Sequence, residues 1–222
     1  MAAFPEAFLW GAALSAHVAE GSDYQSDWWR WEQRAGHIAD GTTSKVASGH
    51  LQRFETDCRL ARKLGHNAHL FSISWPRVQP TSDGFDADVL DQYERAVATM
   101  LDLNLEPVCV LHHVAAPEWF STAGGWTKPD SVSVFRKYAS RVVEVLSPYV
   151  RWWIPVLDPV EWIIMALVDG HWPPGSRNPI RAYRAFEHLV AAHVEATKAI
   201  RARRSDSHVG VTVRAKRIGP YD

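Results

Sequence analysis

The chain has 222 residues, 46% of them hydrophobic and 22% charged, which is typical of one globular domain and excludes a disordered segment. The net charge of -1 gives no indication that the chain binds nucleic acid or an anionic membrane. Cys58 and Cys109 form no CxxC pair, so no disulfide framework or zinc knuckle is indicated. The sequence shows no signal peptide or membrane span. We therefore expect one cytoplasmic domain over residues 1–222, without nucleic-acid or membrane partners.

Short apolar stretches alternate with longer amphipathic stretches along the chain. The apolar stretches predict five strands, at residues 8–16, 67–75, 106–113, 151–159 and 209–216. The amphipathic stretches predict four long helices, at residues 45–64, 86–103, 130–146 and 179–203, and a short helix at 159–168. Residues 22–43 are predicted to form a polar loop that carries Trp28, Trp29 and Trp31. On the last long helix, the stripe predicted to be buried comprises Ala182, Ala185, Phe186, Leu189, Val190 and Val194.

Strands alternating with helices are the pattern of a parallel sheet with right-handed crossovers. No glycine-rich phosphate loop follows any predicted strand, which disfavours a nucleotide-binding doubly wound sheet. We therefore expect an α/β fold with about five parallel strands and four flanking helices.

Residues capable of acid–base or binding chemistry follow four of the predicted strands. They are His17 and Glu20, then His69, Ser72, Ser74 and Trp75, then His112 and His113, and finally Asp158 and Glu161. Such groups converge at one edge of a parallel sheet, which is where α/β folds form their pockets. No HxH or HExxH spacing supports a metal site, so we expect neither a metal nor a cofactor.

Asp158 ends the apolar stretch RWWIPVLDP, at the position where an α/β barrel carries its catalytic groups. Two interpretations are open. In one, the carboxylate faces a pocket and takes part in chemistry. In the other, Asp158 caps the helix that begins at Pro159, since Asp followed by Pro is a good helix start.

Several longer motifs resemble a known family in both content and order. They are Phe4–Gly21 (FPEAFLWGAALSAHVAEG), Ser26–Gln33 (SDWWRWEQ), Phe71–Pro80 (FSISWPRVQP), Leu111–Phe120 (LHHVAAPEWF), Gly124–Trp126 (GGW), Leu157–Pro159 (LDP) and Gly170–Gly175 (GHWPPG). Together they resemble the amino-terminal half of glycoside hydrolase family 1, the retaining β-glycosidases. The resemblance implies a partial (β/α)8 TIM barrel with about five parallel strands.

The resemblance also implies a general acid/base after strand four, where the family has Asn-Glu-Pro. This chain has Leu157-Asp158-Pro159, so the acid is one methylene shorter and the sugar-binding Asn is replaced by Leu. Retaining hydrolysis needs a second carboxylate, the nucleophile, about 5–5.5 Å from the first. In the family that Glu lies near strand seven, beyond the five strands predicted here. We therefore expect this chain to supply at most the acid/base.

This chain also departs from the family at a sugar-binding Gln and at an Arg that supports the nucleophile, and in both cases an apolar residue replaces a polar one. The Gln after strand one is Val18 here, and the Arg before the FSISW segment is Leu70. The sugar-contacting His after strand three is kept as His113, but its aromatic neighbour is Val114. Apolar residues at polar positions predict a pocket for a ligand less polar than a sugar. We predict Asp158 and His113 as catalytic residues, and as substrate contacts His17, Val18, Leu70, Trp75, Trp126 and Leu157.

Three functions are compatible with this pattern. The first is an enzyme that has lost β-glycosidase activity and uses the pocket for acid/base chemistry on a small, relatively apolar metabolite. The second is half of a β-glycoside hydrolase that needs a partner with the nucleophile, and the third is a non-catalytic binding module. Because five strands leave two open sheet edges, we also expect a homo-oligomer or a complementary barrel half.

Overall fold

The computed structural model describes residues 4–212. Within them, five parallel strands form one sheet in the order β1-β2-β3-β4-β5. The strands are β1 (Gly11–Leu14), β2 (Ala68–Ser72), β3 (Glu106–His112), β4 (Trp152–Val156) and β5 (His208–Val209). The predicted partial barrel is therefore confirmed. Residues 213–216 of the predicted fifth strand lie outside the described residues.

Four long helices in the described chain follow the strands in the predicted order. They are α3 (His50–Lys63), α5 (Ala87–Asp102), α7 (Ser131–Leu146) and α9 (Pro179–Arg203). The short helices are α1 (Ala16–Glu20), α2 (Asp27–Glu32), α4 (Trp75–Val78), α6 (Glu118–Thr122) and α8 (Pro159–Ile163), with a 3₁₀ turn at Gly125–Thr127 and a π-helical turn at Ile164–Val168. Most of the short helices lie in the segments that follow the carboxyl ends of the strands.

Helix α2 corrects the prediction of an irregular loop over residues 22–43. The hydroxyl of Ser26 accepts a hydrogen bond from the backbone N–H of Trp29 at 3.0 Å and so caps the helix. The amide of Asp27 is held by the carbonyl of Ala116, which ties α2 to the turn after β3. The polar composition of this segment conceals the helix because the helix is only six residues long.

The core lies between the sheet and the long helices, and aromatic side chains fill much of it. Trp75 stacks on Tyr138 with ring centroids 4.9 Å apart. The Tyr138 hydroxyl donates to the carbonyl of Leu111, which fixes α7 against β3. Trp153 of β4 is buried in the same cluster, and its indole N–H donates to the carbonyl of Val150. The Tyr138 hydroxyl and the Trp153 indole N–H therefore each have a hydrogen-bond partner in the core.

The buried face of helix α9 overlaps the predicted one, because Ala182, Ala185 and Leu189 are buried as predicted. Its buried residues are Ala182, Ala185, Leu189, Ala192, Ala196 and Ile200. Phe186, Val190 and Val194 are instead 43%, 48% and 45% exposed, which corrects their predicted burial. Small alanine side chains allow α9 to lie close to α7, and the larger residues are consequently turned outward. They continue a solvent-exposed apolar stripe that starts at Ile180 and Tyr183.

The first strand forms one edge of the sheet. Gly11, Ala12 and Ala13 are exposed, and the aromatic rings of Phe4, Phe8 and Trp10 pack on one another just before β1. The other edge is β5, which pairs with β4 over two residues. The described part of the barrel is therefore open on both sides.

Candidate functional site

The carboxyl ends of β3 and β4 carry two residues with unusual backbone conformations. Val114, just after β3, has a φ of 53°, and Asp158, just after β4, has a φ of 45°. A β-branched residue such as valine rarely adopts this left-handed region. Backbone strain of this kind costs about 1–3 kcal/mol per residue and is concentrated at functional sites. The two turns belong to adjacent strands, so the strain lies at one place on the barrel rim.

His113 is held by Ser15, the residue that directly follows β1. Its Nδ1 and the Oγ of Ser15 are 2.8 Å apart. Ser15 occupies the N-cap position of α1, yet its side chain makes no capping hydrogen bond in the described structure. The hydroxyl is therefore committed to His113 rather than to its own helix. Burial lowers the pKa of the His113 imidazole, and the nearby carboxylate of Asp158 opposes that effect by favouring the charged ring.

Asp158 is half-buried and occupies the N-cap position of α8. Within the described residues its carboxylate makes no capping hydrogen bond to that helix, so the interpretation in which it serves as a side-chain cap is not supported. Its backbone N–H donates to the Oγ1 of Thr212 at 2.8 Å. The preceding residue, Leu157, is also half-buried, and its amide donates to the carbonyl of His112 at 3.0 Å.

A cavity of about 450 Å³ opens next to His113. Its lining comprises His17, Val18, Trp28, Glu32, Ile38, Thr42, Thr43, Ser44, Ala47, His113, Val114 and Trp172. Three predicted site residues, His17, Val18 and His113, thus come together in one place. Val18 is 63% exposed and gives the cavity an apolar wall where the resemblance implies a Gln.

A buried histidine–glutamate pair that the sequence does not predict supports this cavity. The Nε2 of His17 lies 2.8 Å from Oε1 of Glu32, and both side chains are almost fully buried. The other Glu32 oxygen accepts hydrogen bonds from the backbone N–H and the hydroxyl of Ser44. These bonds hold the pKa of Glu32 below its ordinary value although burial alone would raise it. No spacing rule links residues in α1, α2 and the following loop, so the sequence gives no signal for the pair.

The other predicted substrate contacts lie elsewhere. Trp75 and Trp126 are 1% and 2% exposed, and both rings belong to the aromatic core. Their indole N–H groups donate to Gln79 and to the Nε2 of His112, respectively. Leu70 is half-buried on β2. In the described chain these residues, Leu157 and Asp158 are not part of the cavity lining, and their roles in binding or catalysis stay predictions.

A second buried polar network surrounds Glu20, the last residue of α1. Glu20 is 6% exposed, accepts hydrogen bonds from the Tyr93 hydroxyl at 3.0 Å and lies near Arg77. Burial raises the pKa of Glu20 to about 7, although Arg77 and Tyr93 pull it down. Burial likewise raises the pKa of Asp27 to about 7 against hydrogen bonds from Ala116 and Ser121. Burial therefore raises the pKa of one carboxyl group in α1 and of another in α2.

Neither a membrane span nor a metal cluster is found in residues 4–212. None of their helices is long and apolar enough to cross a membrane. No group of three or more His, Cys, Asp and Glu side chains in that range is placed to hold a metal ion. Cys58 and Cys109 are buried free thiols.

Comparison with known proteins agrees with the fold. Residues 1–222 match the sequence model of Glycosyl hydrolase family 1. The chain belongs to this family. The resemblance predicted from the motifs is thereby confirmed.

The relatives that this chain matches include proteins named β-glucosidases. The β-glucosidase A of Thermotoga maritima is 32% identical over 214 residues, which are 94% of this chain and 48% of that protein. The thermostable β-glucosidase B of Thermobispora bispora is 34% identical over 194 residues, 86% of this chain and 40% of that protein. The solved family 1 β-glucosidase from Thermotoga maritima superposes with a TM-score of 0.92 over 95% of this chain and 49% of its own. The chain thus spans about half the length of the curated relatives it matches.

Proposed function

We propose that this family 1 domain no longer hydrolyses β-glycosides and uses its rim for acid/base chemistry on a small, relatively apolar metabolite. The reaction class is hydrolysis, ring opening or cyclisation. Asp158 is the acid/base, exchanging a proton with an oxygen of the metabolite, and His113 is its neighbour in the site. The ligand occupies the cavity bordered by His17, Val18 and His113, and its reacting oxygen extends past His113 to Asp158, which lies outside the lining.

One observation carries this proposal. His113 lines the cavity, is fixed by Ser15, and lies within the electrostatic influence of Asp158. An imidazole and a carboxylate on adjacent strained turns form a pair that can exchange protons with a bound molecule. At the same time Val18 and Val114 offer no hydrogen bond to a sugar hydroxyl.

The test is a turnover screen with small esters and lactones, whose hydrolysis yields a carboxylic acid and so releases a proton that a pH indicator detects. Loss of a general acid/base costs about 10²- to 10⁴-fold in rate, so Asp158→Asn is expected to lose activity by that factor. Asp91→Asn is the matched control because Asp91 is an exposed carboxylate on α5. Equal turnover by the wild-type protein and Asp158→Asn would contradict the proposed role. Hydrolysis of a chromogenic β-glycoside by this chain alone would contradict the loss of glycosidase activity.

A second candidate is the acid/base half of a β-glycoside hydrolase whose nucleophile comes from a partner. It is favoured by the half-length match to β-glucosidases and by the two open edges of the described sheet. The exposed stripe on α9 is the face that a further barrel helix would cover. In that case a polypeptide carrying the remaining strands covers the open sheet edges and the α9 stripe. A homo-oligomer is the other way to cover the same surfaces.

Two measurements separate these possibilities. Light scattering after size-exclusion chromatography gives the oligomeric state, and a well-folded monomer would argue against a homo-oligomer. Adding a polypeptide with the carboxyl-terminal half of a family 1 barrel is expected to produce β-glycosidase activity only if the second candidate is right. Ligand binding without turnover, unaffected by Asp158→Asn, would favour a non-catalytic binding module. A reducing, cytoplasmic setting belongs to the same proposal and fits the buried free thiols Cys58 and Cys109.

A further inference from the structure

Most of the surface that lines the cavity beside His113 is apolar. Apolar side chains on its lining are Val18, Ile38, Ala47 and Val114, together with the rings of Trp28 and Trp172. The two indole rings lie edge to face, with centroids 5.6 Å apart and planes at 62°. We propose that this cavity binds an uncharged, planar aromatic ring that bears one hydroxyl group. The proposal rests on the function proposed above and names its substrate class.

The lining gives a charged ligand no partner. Among the described lining residues there is no lysine or arginine, so a phosphate or carboxylate would lose its hydration without gaining an ion pair. Glu32 does not offer a free negative charge either, because His17 and Ser44 already bond both of its oxygens. A cation therefore meets a carboxylate that is already paired.

The polar atoms of the lining are too few for a sugar. Among the described lining residues, Nδ1 of His17 and Nε1 of Trp28 are buried ring nitrogens without a hydrogen-bond partner. The Oγ1 of Thr42 is engaged with Asp40, and Ser44 is engaged with Glu32. A sugar carries several hydroxyl groups, and each loses its hydrogen bonds to water when placed against an apolar wall. A ligand with one hydroxyl loses far less. With Nδ1 of His113 engaged by Ser15, Nε2 is the ring nitrogen left to meet that hydroxyl.

The two tryptophans favour an aromatic ring over an aliphatic one. Aromatic groups prefer offset or edge-to-face contacts, and such a contact adds about three- to tenfold in affinity beyond the buried area. The cavity of about 450 Å³ lies within the size range of small-molecule sites. A ring system of two fused six-membered rings fits that range and reaches both indoles.

The experiment measures binding by calorimetry and tryptophan fluorescence with 2-naphthol as the probe. It is done on Asp158→Asn as well as the wild-type protein, so that binding is measured independently of turnover. In both proteins we expect glucose, 2-naphthoate and cyclohexanol to bind at least tenfold more weakly than 2-naphthol. Trp172→Ala is expected to weaken 2-naphthol binding about three- to tenfold.

Three further variants make the result specific. Trp172→Phe keeps an aromatic ring and should retain most of the affinity, which also covers the case in which the alanine variant fails to fold. Val18→Gln places an amide on the apolar wall and should weaken 2-naphthol about tenfold. Trp10→Ala is the matched control, because Trp10 is a half-exposed tryptophan outside the cavity lining.

The outcomes separate this proposal from the preceding one. No binding of 2-naphthol, equal binding by Trp172→Ala and wild type, or tighter binding of glucose would overturn the aromatic ligand class. Naphthol binding without any turnover in the substrate screen would overturn the catalytic proposal and leave the ligand class standing. Turnover of non-aromatic substrates that Asp158→Asn abolishes, with no naphthol binding, would overturn the aromatic ligand class and leave the catalytic proposal standing.

Discussion

The buried carboxyl group of Glu20 makes a quantitative prediction about pH. Burial raises its pKa from 4.5 to about 7, so the folded protein keeps this proton over a range in which the unfolded chain has lost it. The resulting stabilisation is complete below pH 4.5 and is lost as the pH rises through 7. A difference of about 2.5 pKa units corresponds to about 3 kcal/mol, of which about 2–3 kcal/mol falls between pH 5 and pH 8.

The perturbation that tests this is Glu20→Gln. Glutamine has the same shape, its carbonyl oxygen can still accept the Tyr93 hydrogen bond, and it does not titrate. The free energy of unfolding of the variant minus that of the wild-type protein should therefore increase by about 2–3 kcal/mol from pH 5 to pH 8. Taking the difference at each pH cancels titrations that the two proteins share, such as that of Asp27.

Urea unfolding followed by tryptophan fluorescence at pH 5, 6, 7 and 8 gives these free energies. Asp91→Asn is the control, because it removes a carboxylate from the exposed surface of α5 and leaves the buried contacts of Glu20 in place. A Glu20→Gln difference that stays constant from pH 5 to pH 8 would refute the reasoning. It would mean that Arg77 keeps Glu20 ionised in the folded protein in spite of its burial.

Three further predictions concern single contacts. Ser15→Ala should free the His113 ring, seen by NMR as a changed tautomer ratio of its imidazole nitrogens, whereas Ser48→Ala should leave it unchanged. Trp126→Phe should cost about 1–3 kcal/mol in urea unfolding, because it leaves the buried Nε2 of His112 without a donor. Gly11→Ala should lower the melting temperature, because a Cβ there would lie 2.5 Å from a carbonyl oxygen of β2.

Element order was predictable from the sequence because it depends on local periodicity. The strand cores and long helices fall within a few residues of the predicted ranges; for example, β3 ends at His112 and α5 at Asp102. What periodicity cannot give is which face of a helix turns inward when both faces are apolar. On α9 the alanine face packs against α7 and Phe186 is left outside, because close packing of small side chains decided the orientation.

The candidate site was predictable only in part, for a related reason. His17, Val18 and His113 follow strand ends, and the topology alone brings them together. Trp75 could not be assigned in the same way, since tryptophan has the same sequence signature in a core as in a cleft and the structure places it in the core. Glu32 and Trp172 reach the cavity from loops and short helices, whose paths no periodic pattern encodes.

The polar groups that the cavity retains bear on what the site is for. Within the described residues, Nε2 of His17 bonds Glu32, Glu32 bonds Ser44, and Nδ1 of His113 bonds Ser15, whereas Nδ1 of His17 and Nε1 of Trp28 have no partner. Leaving a buried polar group unpaired costs about 1–3 kcal/mol, so a site built for a polyhydroxylated ligand has many unpaired groups. Here most of the named polar groups are bonded to one another, and Val18 and Val114 stand at positions where the family resemblance implies Gln and an aromatic residue. Few free polar atoms match a ligand that brings few polar groups of its own, which is why an apolar molecule with one hydroxyl is a better match to this rim than glucose.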